Sequence, residues 1–536
     1  MKKKLLSLGL VAGFAIPLAA CGASTGGNTN ETTAETTTAS ASAETTTASS
    51  GSSTGTKSFT YGTTGYGIDM STVGTNPHDG YTGWATIRYG VGETLFKYNK
   101  NMEPEPWLAT GYEFVDDTHI KITLRDDVTF SSGRKMDGQA VKECLEDLVE
   151  KHDRAPGDLK IANITADGQT VTIETSEPCP AFINYISDPY GCIIDMQVPE
   201  KDMIIAGTGP FIATKVTDDS IDLVKNENYW GGDVKLDELH IKGLNDGDTL
   251  TALLQTGEVD ATYGLPYASY PLFENNSAYK LATAETSRQF FGKMNYNSEF
   301  LKDENVRKAI CMGIDKEGFV NTLLQGHGAT SKGPFPATFE FGDSKITAPE
   351  YDPEGAKKLL EDAGWVAGSD GIREKDGKKL SLTWLTYPGR MELPLLAESA
   401  QATLKDIGVD IKINQTENHK DFWKQGDFDI YVSAMVTAPT GDPEYFFTTH
   451  ALTDSSSNHE GYSNSELDSL AADLHKEFDE TKRGEIATKM SQILIDDNAY
   501  FFASHLQMGI FTKAGVTGLE PHPCDYYEIT ANTDIN

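Results

Sequence analysis

Hydrophobic and polar positions along the chain follow two periods. In His119-Ile120-Lys121-Ile122-Thr123-Leu124 and Thr170-Val171-Thr172-Ile173-Glu174-Thr175 apolar and polar residues alternate, which predicts strands with one buried face. Elsewhere the spacing is helical. Val141, Leu145, Leu148 and Val149 recur at helical spacing behind Asp137, a residue suited to cap the first turn. Asp352-Pro353-Glu354 offers a capping carboxylate and then a proline at the first helical position, with Gly364 as the stop. Ser463 and Glu466 form a capping box ahead of Leu467, Leu470 and Leu474. Short strands and amphipathic helices mix in this way from about residue 58 to 536, without a repeat at solenoid periods. The pattern predicts an α/β body long enough for two or more cores.

The first twenty residues break with the pattern. Lys2, Lys3 and Lys4 precede an apolar run, Leu5 to Leu18, interrupted only by Ser7, Gly9, Gly13 and Pro17. That run is too short for a stable bilayer-spanning helix and reads as a secretory signal. It ends in Leu18-Ala19-Ala20-Cys21-Gly22, which resembles the bacterial lipobox. Cys21 is therefore expected to carry lipid and to begin the mature chain; the competing reading is an ordinary cleavage site beside an incidental cysteine. Two acyl chains on one cysteine anchor durably, whereas a single chain binds only marginally. Residues 22–57 are nearly all Ser, Thr, Ala, Gly, Glu and Asn, with no aromatic and no large aliphatic residue. Such a segment buries too little apolar surface to offset its ordering entropy, and is expected to be a flexible stalk. Gly51-Ser52-Ser53-Thr54-Gly55 spells a hydrolase nucleophile elbow, but neither the strand nor the helix that motif needs can flank it.

Charge and cysteines narrow the picture further. With 80 acidic against 45 basic residues the formal charge is −35, which repels polyanions and argues against a nucleic-acid partner. Besides Cys21 there are Cys144, Cys179, Cys192, Cys311 and Cys524, with no C-x-x-C pair to suggest a structural zinc site. Cys179 and Cys192 either pair in an oxidising compartment or stay free and buried.

Six segments, taken in order, carry a resemblance. They are Glu105-Pro106-Trp107-Leu108-Ala109 with Leu124-Arg125-Asp126-Asp127-Val128-Thr129-Phe130-Ser131-Ser132-Gly133; Gly207-Thr208-Gly209-Pro210-Phe211; Asn226-Glu227-Asn228-Tyr229-Trp230-Gly231-Gly232; Val306-Arg307-Lys308-Ala309-Ile310 with Ile314-Asp315-Lys316; Tyr351-Asp352-Pro353-Glu354 with Ala363-Gly364-Trp365; and Gly441-Asp442-Pro443. Together they resemble the family 5 extracellular solute-binding proteins, which serve ABC importers of dipeptides, oligopeptides and nickel. Most of these segments also read as scaffold: Gly207-Thr208-Gly209-Pro210 as a turn whose glycines allow positive φ, and Tyr229-Trp230-Gly231-Gly232 as an aromatic pair closing on a turn.

The resemblance implies a two-lobed fold of the type II periplasmic-binding-protein kind, in its large peptide- and nickel-binding subclass, hinged around a central cleft. Chain order then implies a signal at 1–20, a lipidated cysteine and linker at 21–57, and a first lobe built from 58–287 and a return segment at 503–536. The second lobe is 288–502. Candidate cleft residues follow. Arg154 lies where the nickel-binding relatives place an anchoring arginine, and reads either as a carboxylate fork or as a solvated surface residue. Arg88 and Arg390 are further candidates, Arg390 following the Tyr387-Pro388-Gly389 turn. Tyr81 and Trp84 follow Asn76-Pro77-His78 and read either as solute-packing walls or as core. The loop Ala438-Pro439-Thr440-Gly441-Asp442 matches a cleft loop that carries tryptophan and tyrosine in the nickel-binding relatives; small residues here, Thr440 among them, leave room for a larger solute. His78, His450, His459 and His522 offer imidazole to a metal, and His450, just past that loop, is the candidate ligand, against the reading of an ordinary packed or exposed histidine.

The expected function is a monomeric solute-binding lipoprotein on the extracellular face of the cell membrane. It would capture small peptides or a nickel–chelator complex and hand them to an ABC permease with its ATPase. No catalysis and no cofactor are expected, nickel entering only as transported solute. The alternatives are an anchored surface hydrolase, for which no nucleophile–base set or H-E-x-x-H motif is present, and a sensor or adhesin built on the same binding fold.

Overall fold

The two alternating segments are neighbouring strands. The computed structural model describes residues 55–65, 73–244 and 246–536, so the expected signal, Cys21 and nearly all of the stalk lie outside the described residues. Ala109–Asp116 (β2), His119–Leu124 (β3), Ile161–Asp167 (β4) and Thr170–Thr175 (β5) form an antiparallel sheet in the order β2-β3-β5-β4. Ile120 stands opposite Ile173 and Ile122 opposite Val171, all four buried, so the period-two pattern sets both register and buried face. Helix α2, Gly138–Lys151, packs on this sheet, and the Asp137 side chain accepts from the Ala140 amide at 2.9 Å, as its capping position predicts.

Ser58–Thr63 (β1) belongs to a larger sheet of 11 strands. In chain order its other members are Phe211–Val216 (β6), Ser220–Lys225 (β7), Glu238–Gly243 (β8), Ala261–Tyr263 (β9), Tyr279–Met294 (β10), Gly328–Thr330 (β11), Ser381–Thr386 (β12), Asp410–Gln415 (β13), Ile430–Val436 (β14) and Tyr500–Lys513 (β15). Spatially they run β13-β12-β14-β10-β15-β9-β1-β8-β7-β6, with β11 also on β15. At one end β12 is parallel to both β13 and β14; further along, β1 is parallel to both β8 and β9. The long antiparallel pair β10 and β15 joins these halves.

That pair has two register shifts, a small one between Phe290 and Phe291 and a larger one in its middle. Glu285 pairs with Gln507 and Gln289 with His505, so Thr286, Ser287 and Arg288 stand opposite Leu506 alone. Thr286 Oγ1 closes the bulge by donating to the Leu506 carbonyl at 2.9 Å. A bulge breaks the ladder and re-aims a side chain, here Arg288.

Apolar side chains gather in separate clusters. One lies around β1, β2–β5 and α2; a second surrounds Leu382, Trp384, Val432 and helix α6, Glu392–Asp406. A third draws Ile87, Tyr98, Met102 and Tyr526 together with Phe291, Phe446, Tyr500 and Leu494. It therefore joins the stretches on either side of β10.

Two local expectations shift. Helix α5, Pro353–Asp362, is capped by Asp352 and stopped at Gly364 (φ 88°), as expected. Helix α8, Ser465–Leu474, is capped not by Ser463 but by Asn464, which accepts from the Glu466 and Leu467 amides. Asn is as good a cap as Ser, and sequence pattern does not separate adjacent capping residues. Gly207 and Gly209 do not have positive φ. They are required by close approach instead: a Cβ on Gly209 would sit 2.2 Å from the Gly90 carbonyl oxygen. The described cysteines, Cys179 and Cys192 among them, are free and buried.

Candidate functional site

A cavity of about 600 Å³ opens where the β10 bulge, helix α1 (Gly83–Arg88), the turn before α6 and the C-terminal segment meet. Its walls include Tyr81, Trp84, Arg88, Arg288, Arg390 and Asp525. Tyr81 and Trp84 contact each other at 5.6 Å between ring centroids, and Tyr81 remains 47% exposed. Four of the expected residues, Tyr81, Trp84, Arg88 and Arg390, thus line one cavity.

The three arginines differ in their charge partners. Arg88 ends α1 and is buried; its Nε donates to the Asp525 carbonyl at 2.9 Å, and the guanidinium lies 3.2 Å from both the Asp525 and the Glu528 carboxylates. Burial alone would lower its pKa, but the two facing carboxylates reverse this and raise it. Glu528 is pushed up to about 7 by burial, although Arg88 and Tyr61 pull it back. Arg288 has Asp525 only at 3.9 Å, and burial followed by the charge of Arg390 lowers its pKa. The Arg390 guanidinium makes no hydrogen bond or ion pair with any described residue; burial disfavours its charge, which Tyr263 and Glu392 favour through space.

Arg288 and Asp525 are among the cleft residues that sequence reasoning missed. The polar run Glu285-Thr286-Ser287-Arg288-Gln289 inside an otherwise strand-like stretch was the available signal for the first. Asp525 carries none, because its importance comes from contacts with Arg88, more than four hundred residues away.

The other candidates sit elsewhere. Arg154 does not line the cavity; it is held by Asp188 at 2.7 Å and lies over the Tyr190 ring at 5.3 Å, so its charge is already matched. Thr440 is buried, its carbonyl accepting from Asn184 Nδ2 at 2.9 Å. Its loop packs against Tyr526, whose hydroxyl donates to the Pro439 carbonyl at 3.3 Å, so the small residues there bring two parts of the chain together and do not widen the cavity. His450 lies in the third aromatic cluster with both ring nitrogens unpartnered, and burial holds its pKa well below the usual value. Among the described residues no three His, Cys, Asp or Glu side chains converge as a metal site.

A second cavity of about 340 Å³ lies beside Trp107, Tyr229 and Tyr527 and is floored by Glu93. That carboxylate is already occupied by Thr208 Oγ1 at 2.9 Å and by the Tyr229 hydroxyl and Trp230 Nε1, each at 2.7 Å. The Gly-Thr-Gly-Pro and Tyr-Trp-Gly-Gly segments therefore serve as scaffold around one buried acid.

The comparisons with known proteins agree with this geometry. The sequence profile of the bacterial extracellular solute-binding proteins, family 5 Middle, matches residues 103–458. The nickel-binding protein NikA of Staphylococcus aureus is 27% identical over 452 residues, 84% of this chain and 90% of that protein. The dipeptide-binding protein DppE of Bacillus subtilis is 26% identical, covering 82% of this chain and 86% of its own length. The crystal structure of S. aureus NikA in complex with Ni(L-His)2 superposes with a TM-score of 0.74 at 25% identity, covering 90% of this chain and all of that one. Among the described residues no helix is long and apolar enough to cross a membrane. The α/β fold, with its cleft at the bulged central strands, and the profile match over most of the body lead to one conclusion: this chain belongs to the two-lobed bacterial extracellular solute-binding proteins of family 5.

Proposed function

We propose that this protein captures a small carboxylate-bearing solute for an ABC importer and stays at the cell surface through lipid on Cys21. The observation that carries the reading is the pair Arg288 and Arg390, which bring two positive charges to the cavity wall with no carboxylate among the described residues nearer than 3.9 Å. Leaving such charges unpaired in a partly dry site is costly, and a planar carboxylate matches the guanidinium fork. Residues 58–287 with 503–536 would form one lobe and 288–502 the other, hinging at the bulge of β10. Solute touching both lobes would favour closure by its differential affinity. The anchor and stalk would keep the binding body concentrated near its permease. Binding, not turnover, is the role of the relatives named above, and it is the role assigned here.

A nickel–amino-acid chelate is the first candidate cargo. Among the described residues no histidine or cysteine lines the cavity, so the metal would arrive with its ligands and the arginines would read the chelator's carboxylates. A short peptide is the second, favoured by Asp246, Asp248, Glu392 and Glu417 on the same walls, which would receive its ammonium group. Calorimetric titration of ligand-stripped protein separates them. Nickel with L-histidine should bind where nickel alone does not, or else di- and tripeptides should bind. Binding of none would overturn the proposal.

A further inference from the structure

The second cavity, of about 340 Å³, shares no described lining residue with the first. Ile87 and Tyr527 line it, whereas their near neighbours Arg88 and Asp525 line the cleft, so α1 and the C-terminal segment form the partition. Its walls are aromatic and aliphatic: Trp107, Tyr229 and Tyr527 with Pro210, Ile529 and Ala531. Trp107 meets the Tyr527 ring edge-on at 5.6 Å and stays half-buried. Cavities of roughly 300–1,000 Å³ suit small organic molecules.

Charges around this cavity are unevenly matched. At the rim Lys97 pairs with Glu105 at 3.2 Å and Lys100 with Glu520 at 2.8 Å, so each cation has its own acid. Glu93 at the floor has no ion-pair partner among the described residues. It is buried, and its three hydrogen-bond donors, Thr208, Tyr229 and Trp230, are all neutral. Lys97 and Arg125 reach it only through space. Burial pushes its pKa up to about 7, against those hydrogen bonds and the charge of Lys97.

What Glu93 lacks is therefore an opposite charge rather than a hydrogen bond. An ammonium ion whose N–H groups are replaced by alkyl groups supplies charge, needs no acceptor, and packs on aromatic faces through the ring quadrupole. The Trp107 ring already takes part in such a contact, with the Lys97 ammonium 5.8 Å from its centroid. A primary ammonium fits less well, because its three donors need acceptors and the one buried carboxylate already takes three. An anion is disfavoured by Glu93 and by the formal charge of −35.

We propose that the second cavity binds a small alkylated ammonium ion of the trimethylammonium class, with Trp107, Tyr229 and Tyr527 around the cation and Glu93 beneath it. The site does not depend on the cleft, and solute capture there stands or falls separately.

Choline and its uncharged carbon isostere, in which a tert-butyl group replaces the trimethylammonium group, share a shape and differ in charge. Calorimetric titration of the full chain should show choline binding, with the isostere at least about tenfold weaker. Trp107→Ala, at a half-buried position, should weaken choline about three- to thirtyfold, the range for one cation–π contact, and Trp107→Phe should restore most of the loss. Glu93→Gln should weaken choline and leave the isostere unchanged; if that buried substitution prevents folding, the Trp107 variants and the two probes still decide. Absence of choline binding, equal affinity for the two probes, or choline affinity unchanged in Trp107→Ala or in folded Glu93→Gln would overturn the proposal.

Discussion

Arg88 and Arg390 line the same cavity but are differently satisfied. Arg88 is held between Asp525 and Glu528 at 3.2 Å, whereas Arg390 has no ion-pair partner among the described residues. The first belongs to the fold, because removing it would strand buried carboxylates. The second adds little to the fold, and its charge is available to something that enters. Two arginines that look equivalent in the sequence thus divide into a structural cation and a recognition cation, according to which carboxylates the fold brings beside them.

The largest expected effect tests the structural side. Arg88→Ala leaves Glu528 and Asp525 buried without their cation and should lower unfolding free energy by about 3–5 kcal/mol, read from urea denaturation. A loss below 1 kcal/mol would break the contrast. Arg390→Ala should do the reverse, changing stability by less than about 1 kcal/mol while weakening the solute by about 1.5–3 kcal/mol in calorimetry, the range for a charged hydrogen bond. If Arg390→Ala unfolds the protein and leaves affinity intact, the assignment of roles is inverted.

A smaller effect sharpens the comparison through pH. Glu528 is raised to about 7 from an ordinary value of 4.5, so the folded state holds a proton that the unfolded state has released. Stability should therefore fall as pH climbs from about 4.5 to 7, by on the order of 1 kcal/mol from this group, since Arg88 and the pocket relax around it. Glu93, also raised to about 7, acts in the same direction. In Glu528→Gln the slope of the urea midpoint against pH should be shallower; an identical slope would place the proton elsewhere.

Local pattern carried much of the scaffold. The register of β3 on β5, the cap at Asp137, and the start of α5 at Asp352 follow from side chains within a few residues of one another, and such interactions are visible along a chain. Scaffold segments such as Gly207–Pro210 and Tyr229–Gly232 were also recognisable; the glycines of the first serve close approach, whereas Gly232 takes a positive φ of 105° with open space at its Cβ position, as a turn requires. Of the candidate site, Tyr81 and Trp84 could be named in advance from their place after Asn76-Pro77-His78, a stretch that resembles the nickel-binding relatives, and Arg88 and Arg390 as guanidinium forks suited to a carboxylate, Arg390 also from its place after a turn.

What tertiary structure alone decided is which of these groups are free. Arg154 was as good an arginine as Arg390 until Asp188 stood 2.7 Å away. His450 was as good an imidazole as any until three aromatic rings enclosed it. Arg288 was an unremarked strand residue until a bulge turned it into the cavity. By itself, the sequence determined the α/β elements, the family and the types of side chain available. Charge compensation between residues hundreds of positions apart is a property of distance in space, and only the folded chain sets that distance.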